Sequence, residues 1–251
     1  MIRVAILLGF AASLYLALCV FLFFVQRSMM YFPQPASTRV DTVTLPVQDA
    51  RVLVASRAAD GPRAVLYFGG NAEDVSWTLG ELSRTFSGRA VYCLHYRGYG
   101  GSTGSPSEAA LFSDALALFD LAHGQHPEVT VIGRSLGAAI GVYVASRRPV
   151  ASLVLVTPFD SLTEAAAAHA PYLPVSWILR DKYESGSYAP KVTAPTLILA
   201  AAEDELIPRA STERLHRRFQ PGVSKLTVLS GDHNSISADP RYPPLLAGEE
   251  R

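Results

Sequence analysis

The sequence predicts an α/β protein with a mostly parallel sheet that is covered by helices on both faces. After about residue 38, short apolar runs alternate with segments in which apolar residues have helical spacing. Parallel strands are buried on both faces, so they form continuous apolar runs, and the helices that connect them cover the sheet. Several runs end in glycine, acidic residues or histidine, at the strand ends where such sheets bind ligands. A charge-free run before this pattern predicts one additional helix.

That first element comprises residues 4–25, which are rich in Leu, Phe, Ala and Val. As a helix, the run is about 30 Å long and matches the hydrocarbon core of a bilayer. We therefore expect residues 1–30 to form a single-pass, uncleaved membrane anchor. A cleaved signal peptide, which has a shorter apolar core, and a buried core helix are the alternatives. Arg3 and Arg27 flank the run evenly, so the sequence assigns no side of the membrane to the rest of the chain.

The remaining residues, 31–251, predict one domain that follows a short linker at residues 33–38. The first two strands are expected to form an antiparallel pair. The predicted strands are residues 40–44, 51–56, 64–68, 90–96, 129–132, 152–156, 196–200 and 225–229. Helical spacing of apolar residues predicts helices at residues 107–122, 135–146 and 211–219.

The composition excludes several classes of protein. The 251 residues include 22 Lys or Arg and 22 Asp or Glu, so the formal net charge is zero. A nucleic-acid-binding protein needs a basic face, which this balance does not indicate. Two cysteines cannot form a disulfide framework, and no His, Cys and acidic residues have metal-ligand spacing. We expect no nucleic-acid partner, no metal and no cofactor.

The most specific motif is Gly-Arg-Ser-Leu-Gly at residues 133–137, between a predicted strand and a predicted helix. In this setting the serine occupies a tight turn with a strained main chain, and its hydroxyl is exposed beside a helix N-terminus. A side chain at Gly133 or Gly137 would collide with neighbouring main chain. We predict that Ser135 is a nucleophile; the alternative is an ordinary turn with an inactive serine.

A nucleophilic serine needs a histidine base, and a carboxylate that holds the histidine in the correct tautomer. In sheets of this kind the chain order is serine, then acid, then histidine. His233 is the predicted base because, of the six histidines, it alone follows the last strand. Asp204 is the predicted acid because it follows the strand at residues 196–200. Its rivals are Glu203, Glu205 and, more distantly, Asp160, whereas Asp232 is expected to shape a turn.

The negative charge that develops on a substrate carbonyl needs main-chain amides as donors. One should be the amide of Leu136, at the start of the helix after the serine. The second should come from the loop that begins Gly69-Gly70-Asn71, and we nominate the amide of Asn71. A second glycine-rich loop, residues 98–104, has neither P-loop nor dinucleotide spacing. There we expect Arg97 to bind main-chain carbonyls beneath the site.

Taken together, these motifs resemble the small, single-anchor α/β hydrolases labelled serine-aminopeptidase-like, whose members include protein depalmitoylases and lysophospholipid lipases. The similarity covers nearly the whole chain. It rests on Tyr-Phe-Pro at 31–33, Gly-Asn-Ala at 70–72, Tyr-Arg-Gly-Tyr-Gly at 96–100, Ser102, Gly104, Pro-Ser-Glu at 106–108, the 133–137 motif, Pro-Phe-Asp-Ser-Leu at 158–162, Asp-Lys-Tyr-Glu-Ser at 181–185, Asp-Glu-Leu-Ile-Pro at 204–208, and His-Asn at 233–234.

The resemblance implies an α/β-hydrolase fold and assigns catalytic roles to Ser135, Asp204 and His233. It also implies a short cap at about residues 160–188. The chain departs from the family pattern at two positions, where the family commonly has histidine at Gly69 and aspartate at His95. One interpretation of this paired change is that His95 fills the space near Gly69.

The expected function is hydrolysis of an ester or thioester through an acyl-enzyme on Ser135. The membrane anchor favours acylated substrates near a bilayer, including small molecules. A serine aminopeptidase is an alternative, although no carboxylate is identifiable that would hold a substrate ammonium group. A non-catalytic, membrane-tethered interaction module is the third hypothesis. The sequence does not indicate an oligomeric state.

Overall fold

The computed structural model of the protein describes residues 1–37 and 39–248. Thr38, which ends the predicted linker, and residues 249–251, which end the predicted domain, lie outside the described residues.

Within the described residues the chain alternates strands and helices in the predicted order. The strands are β1 (Thr42–Leu45), β2 (Val52–Arg57), β3 (Arg63–Phe68), β4 (Ala90–Leu94), β5 (Glu128–Arg134), β6 (Ser152–Val156), β7 (Thr196–Ala201) and β8 (Ser224–Leu229). The helices are α1 (Ile2–Met30), α2 (Val75–Thr85), α3 (Glu108–His123), α4 (Leu136–Ala145), α5 (Leu162–His169), α6 (Val175–Ile178), α7 (Ser185–Tyr188), α8 (Arg209–Arg218) and α9 (Tyr242–Ala247). Short 3₁₀ helices occupy Ala189–Lys191 and Ile236–Ala238.

The strands form one sheet in the order β1-β2-β4-β3-β5-β6-β7-β8. β1 and β2 are antiparallel, as predicted, and β2 is also antiparallel to β4. Every pairing from β4 to β8 is parallel. The register of the central strands pairs Phe68 with Gly133 and Arg134 with Val156, so the ends of β3, β5 and β6 meet at one edge of the sheet. The predicted mostly parallel α/β fold is confirmed.

Alternating residues of the strands face two separate hydrophobic cores. In β3, Leu66 and Phe68 join the core that contains residues of α3, α4 and α8. Val65 and Tyr67 join the opposite core, which contains residues of α2 and α9. This period of two follows from the strand pleat, and apolar residues at every position therefore give a sheet that is covered on both sides.

Helix α2 does not follow from the patterns considered above, which treat residues 69–74 only as a loop. Two signals for it are present in the sequence. The Asp74 carboxylate caps the helix by accepting a hydrogen bond from the Ser76 amide at 3.0 Å. Val75, Leu79 and Leu82 have helical spacing and are buried.

Helix α1 is 29 residues long and lies largely outside the hydrophobic cores that cover the sheet. Within the described residues it is the one helix long and apolar enough to cross a membrane. Most of its apolar side chains are exposed, whereas Gln26 near its end is buried. The C-terminal half of α1 lies against the segment that joins β6 to β7, which contains the short helices α5, α6 and α7.

Candidate active site

Ser135 occupies the sharp turn between β5 and α4. Its main chain has φ +51° and ψ −113°, a strained conformation for a residue with a side chain. The predicted need for flanking glycines is confirmed. A Cβ atom on Gly133 would lie 2.2 Å from the Gly137 carbonyl oxygen, and one on Gly137 would lie 1.9 Å from the Phe68 carbonyl oxygen. The turn therefore requires glycine at both positions.

The three residues predicted from the sequence meet at this turn. The Ser135 hydroxyl lies 2.9 Å from Nε2 of His233. Nδ1 of His233 lies 2.9 and 3.1 Å from the two carboxylate oxygens of Asp204. The side chains of His233 and Asp204 are 9% and 8% exposed, so little water competes for these contacts. A neutral imidazole that donates from Nδ1 to the carboxylate leaves Nε2 free to accept the serine proton.

Asp204 is fixed by its own loop. One of its carboxylate oxygens accepts hydrogen bonds from the amides of Leu206 and Ile207, at 3.0 and 2.8 Å. The rival residues Glu203 and Glu205 are exposed at this loop. Asp160 faces Arg218 instead, at 3.8 Å. The geometry thus distinguishes Asp204 from its neighbours in the sequence.

The loop that carries His233 is held by side chains on both sides. Asp232 accepts hydrogen bonds from the amides of Asn234 and Ser235, both at 2.8 Å, so it shapes a turn as expected. From β5, the Arg134 guanidinium donates to the carbonyl oxygen of His233 at 3.3 Å. The residue that precedes Ser135 therefore helps to hold His233 in position.

The two residues predicted to supply oxyanion donors, Leu136 and Asn71, both lie close to Ser135. Leu136 is the first residue of α4, so its amide has no intrahelical acceptor. Asn71 follows Gly70, where a Cβ atom would lie 3.8 Å from that of Ser135, so this loop passes close to the serine. Neither amide donates to main chain within the described residues. The Asn71 side chain accepts from the Tyr99 hydroxyl at 2.8 Å and donates to the Met30 carbonyl at the end of α1.

Sequence reasoning missed Glu73, which shapes the Gly69–Asn71 loop from within. Its carboxylate accepts hydrogen bonds from the Gly70 amide at 2.7 Å, the Tyr67 hydroxyl at 2.8 Å and the Thr78 hydroxyl at 2.6 Å. Burial, aided by the negative charge of Glu73, raises the pKa of Tyr67 well above its usual value. Tyr67 therefore stays protonated and remains a donor. The sequence signal for this role of Glu73 is an acidic residue three positions after a Gly-Gly pair.

The interpretation that His95 fills the space near Gly69 is wrong. The imidazole lies against Gly100, where a Cβ atom would be 1.8 Å from Nδ1, and its Nε2 is 3.4 Å from the Ser76 hydroxyl. Burial lowers the pKa of His95 and favours the neutral ring. The Gly69 carbonyl is instead bound by the Tyr96 hydroxyl at 2.7 Å. The residue next to His95 in the sequence thus supports the Gly69 loop.

The predicted hydrogen-bond partners of Arg97 are also wrong. Arg97 binds carboxylates rather than main-chain carbonyls: Nε and Nη2 donate to Asp114 at 2.8 Å each, and Nη1 donates to Asp49 at 2.7 Å. The Arg97 and Asp114 side chains are both buried, and these hydrogen bonds raise the pKa of the guanidinium. Arg97 therefore fastens the glycine-rich loop to α3.

An apolar cavity of about 460 Å³ opens beside Ser135, within the size range of ligand sites. Ser135, Leu136, Asn71 and His233 lie at one side of it. Its other walls come from three parts of the chain that are far apart in sequence, at residues 22–32, 159–179 and 206–207. They are Leu22, Gln26, Met29 and Met30 of α1, with Phe32 just after it, and Phe159, Leu162, Ala166, Ala170, Leu173, Val175, Ile178, Leu179, Leu206 and Ile207.

Charged side chains are scarce at the site. Among the described residues that line the cavity, none is Asp, Glu, Lys or Arg. The described residues also contain no group of three or more His, Cys, Asp or Glu side chains that could hold a metal ion. The site therefore offers a hydroxyl, an imidazole, main-chain amides and apolar surface as its chemistry.

Comparison with known proteins agrees with this architecture. Residues 64–177 match the family described as alpha/beta hydrolase fold. The uncharacterized protein Rv2307c of Mycobacterium tuberculosis is 38% identical over 209 residues, which cover 76% of this chain and 74% of that protein. The alpha/beta hydrolase domain-containing protein aho-3 of Caenorhabditis elegans is 30% identical over 188 residues, covering 71% of this chain and 54% of that protein.

Among solved structures, the Pyrococcus furiosus esterase Pf2001 superposes with a TM-score of 0.69 at 17% identity, covering 85% of this chain and 90% of that one. At this identity the likeness concerns the fold. The sheet order, the turn at Ser135 and the sequence matches lead to one conclusion: the chain belongs to the α/β-hydrolase family.

Proposed function

We propose that this protein is a serine hydrolase that cleaves ester or thioester bonds through an acyl-enzyme on Ser135. One observation carries the proposal: Ser135 and His233, in the hydrogen-bonded series Asp204–His233–Ser135, line one side of an apolar cavity. A serine held at 2.9 Å from an imidazole, which is in turn oriented by a carboxylate, is the arrangement that activates a hydroxyl for attack.

In the proposed reaction the Ser135 oxygen forms a bond to the substrate carbonyl carbon, and its proton passes to Nε2 of His233. The Asp204 carboxylate holds the Nδ1 proton and stabilises the imidazolium that forms. The amides of Leu136 and Asn71 donate to the oxyanion. As the intermediate collapses, the bond to the alcohol or thiol breaks, and the leaving group takes the proton from His233. Water then repeats the sequence and releases the acid.

The apolar cavity favours an acyl chain as the part of the substrate that binds in it. Its lining is apolar, so burial of methylene groups supplies binding energy of about 0.8 kcal/mol each. The aminopeptidase alternative requires a carboxylate that binds the substrate ammonium. Because the described lining contains no acidic residue, we favour acyl substrates over peptides with a free N-terminus.

We further propose that residues 1–30 anchor the protein in a membrane and that residues 31–251 form the hydrolase domain, with a short cap at residues 160–188. The support is the length of α1, its apolar composition and the exposure of its apolar side chains. Exposed leucine and phenylalanine side chains along a whole helix indicate a lipid environment. The substrate would accordingly be an acylated molecule near the bilayer.

A fluorophosphonate probe tests the serine hydrolase directly. Full-length protein in detergent should be labelled, and Ser135→Ala should abolish the label. Ser146→Ala is the matched control, because Ser146 ends the same helix α4 outside the site, and its label should persist. Absence of labelling in folded wild-type protein would refute the proposal. It would then favour the interaction module, as would normal cellular behaviour of Ser135→Ala.

Substrate class is tested with p-nitrophenyl esters of increasing chain length and with aminoacyl-p-nitroanilides. We expect the esters to be hydrolysed, with kcat/KM rising as the chain lengthens to fill the cavity. Preferential cleavage of the anilides would instead support the peptidase.

A further inference from the structure

The segment at residues 170–179 has a surface that is unusual for a protein in water. It contains no charged residue and includes Tyr172, which is 88% exposed, and Trp177, which is 86% exposed. Large aromatic side chains that are almost fully exposed within one short segment mark a surface that contacts an apolar phase. We refer to residues 170–179 as the cap tip.

The cap tip is hydrogen-bonded to helix α1 at two positions along the helix. The Tyr15 hydroxyl donates to the Tyr172 carbonyl at 2.7 Å. Eleven residues later on the helix, the Gln26 amide donates to the Ile178 carbonyl at 2.7 Å, and its oxygen accepts from the Arg180 amide at 2.6 Å. Eleven residues of helix correspond to about 16 Å. The cap tip therefore runs alongside the charge-free part of α1 over about half the thickness of a hydrocarbon core.

The first charged residues of both elements lie within about one helical turn of each other. Nε and Nη2 of Arg27 donate to the Asp181 carboxylate at 2.7 and 2.9 Å. The Arg180 guanidinium lies 5.6 Å from the centre of the Phe23 ring. The charge-free part of the helix and the charge-free cap tip thus lie on the same side of this ion pair. Such a division between apolar and charged residues is what a membrane boundary imposes.

We propose that the cap tip is inserted in the bilayer leaflet that contains the C-terminal half of helix α1, so that the phospholipid bilayer is the partner of this surface. The proposal rests on the membrane anchor of the proposed function. It adds that the cavity beside Ser135 is open to the leaflet, because its wall contains Leu22 and Met29 of α1 and Leu173 and Leu179 of the cap tip, the two elements placed in the bilayer. The acyl chain of a bilayer-resident substrate enters from the lipid, while Ser135 stays on the aqueous side of the boundary.

The two tryptophans of the chain provide an internal test. Trp77 is also exposed, at 66%, but it lies beside a depression that contains Arg39, Asp41 and Arg57. Trp77→Phe leaves Trp177 as the only tryptophan, and Trp177→Phe leaves Trp77. Full-length variants are reconstituted in phosphatidylcholine vesicles with or without brominated acyl chains, which quench only tryptophans within the hydrocarbon region.

We expect the Trp177 emission to be blue-shifted and to lose most of its intensity in brominated vesicles, while the Trp77 emission is retained. Quencher in both leaflets makes the result independent of the direction of insertion. Equal quenching of both tryptophans, no quenching of Trp177, or failure of the protein to float with vesicles would each overturn the proposal. The measurement needs no turnover, so an inactive protein can still confirm the inserted surface, and an active protein can still refute it.

A kinetic measurement tests whether substrate enters the cavity from the inserted surface. Trp177→Asp should raise the KM for an ester presented in vesicles about tenfold relative to its KM for a soluble short-chain ester. Trp77→Asp, at the matched exposed tryptophan, should leave this ratio unchanged. An unchanged ratio in Trp177→Asp would mean that substrate does not enter from the inserted surface.

Discussion

The close approach of helix α4 to strand β3 makes Gly137→Ala the sharpest test of the turn that carries Ser135. A Cβ atom there would lie 1.9 Å from the Phe68 carbonyl oxygen and 2.4 Å from the carbonyl carbon. Ordinary contact begins at 3.4 Å, so the helix has to move by more than 1 Å relative to the strand. Both obstructing atoms belong to the main chain of a buried strand and cannot rotate away.

The expected magnitude follows from two opposing effects. Overpacking of this kind destabilises a fold by about 3 kcal/mol, whereas alanine in place of glycine favours a helix by about 1 kcal/mol. The net loss of about 2 kcal/mol lowers the Tm by about 4–8 °C for a protein of this size. A displacement of about 1 Å also moves the Leu136 amide from its position, which we expect to reduce the rate of acylation about 100-fold.

Gly141→Ala on the same helix is the matched control. Its Cβ would lie 3.3 and 3.4 Å from the ends of the Leu153 and Val131 side chains, which can adjust. We expect its Tm to change by less than about 2 °C, because the small overlap offsets the gain in helix propensity. Thermal unfolding in detergent and the rate of fluorophosphonate labelling measure both quantities. Equal stability and equal labelling of the two variants would refute the role assigned to Gly137.

Three further predictions concern side chains around the site. Asp204→Asn should lower kcat about 10³–10⁴-fold, because His233 loses the carboxylate that fixes its tautomer. Glu203→Gln, at the exposed neighbour, should retain activity. Ester turnover measures both variants, and equal rates would contradict the assignment of Asp204. Glu73→Gln should destabilise the fold by about 2 kcal/mol and slow probe labelling, because one charged acceptor of the Gly70 loop is lost; an unchanged Tm would contradict this. Burial lowers the pKa of His95, so the contribution of this residue to stability is present above about pH 6.5 and is lost as the pH falls. The drop in Tm between about pH 7.5 and pH 5 should therefore be smaller in His95→Asn than in the wild type. An equal drop would show that His95 does not titrate in this range.

The predictions that hold best depend on local sequence. The strand before Ser135, the glycines around it and the helix after it lie within about twenty residues, and steric rules at that scale fix the turn. The geometry of Ser135, His233 and Asp204 agrees with the assignment of roles, which stays a prediction until labelling is measured. The chain order of the three residues was informative because each follows a strand of the same parallel sheet.

The features that sequence reasoning missed depend on partners far along the chain or on the path of a loop. Glu73 is a surface-type residue by composition, and only the fold of β3 against α2 surrounds it with three donors. Arg97 lies in a glycine-rich loop, but its carboxylate partner Asp114 is on α3. The charge-free run at residues 4–25 predicted a membrane helix, but nothing in the run indicates that Leu22 lines the active-site cavity.

The contact between α1 and the cap tip has a consequence for how the protein is made. Gln26 and its partner Ile178 are separated by 152 residues, so α1 leaves the ribosome long before its partner has been synthesised. Contacts between such distant residues form slowly, because a long loop has to close first. A helix held in a bilayer, as we propose for α1, would stay in place during that interval and would restrict the search of the later segment to the membrane surface. Under that proposal, the order of synthesis would make helix α1 the template on which the cavity beside Ser135 is completed last.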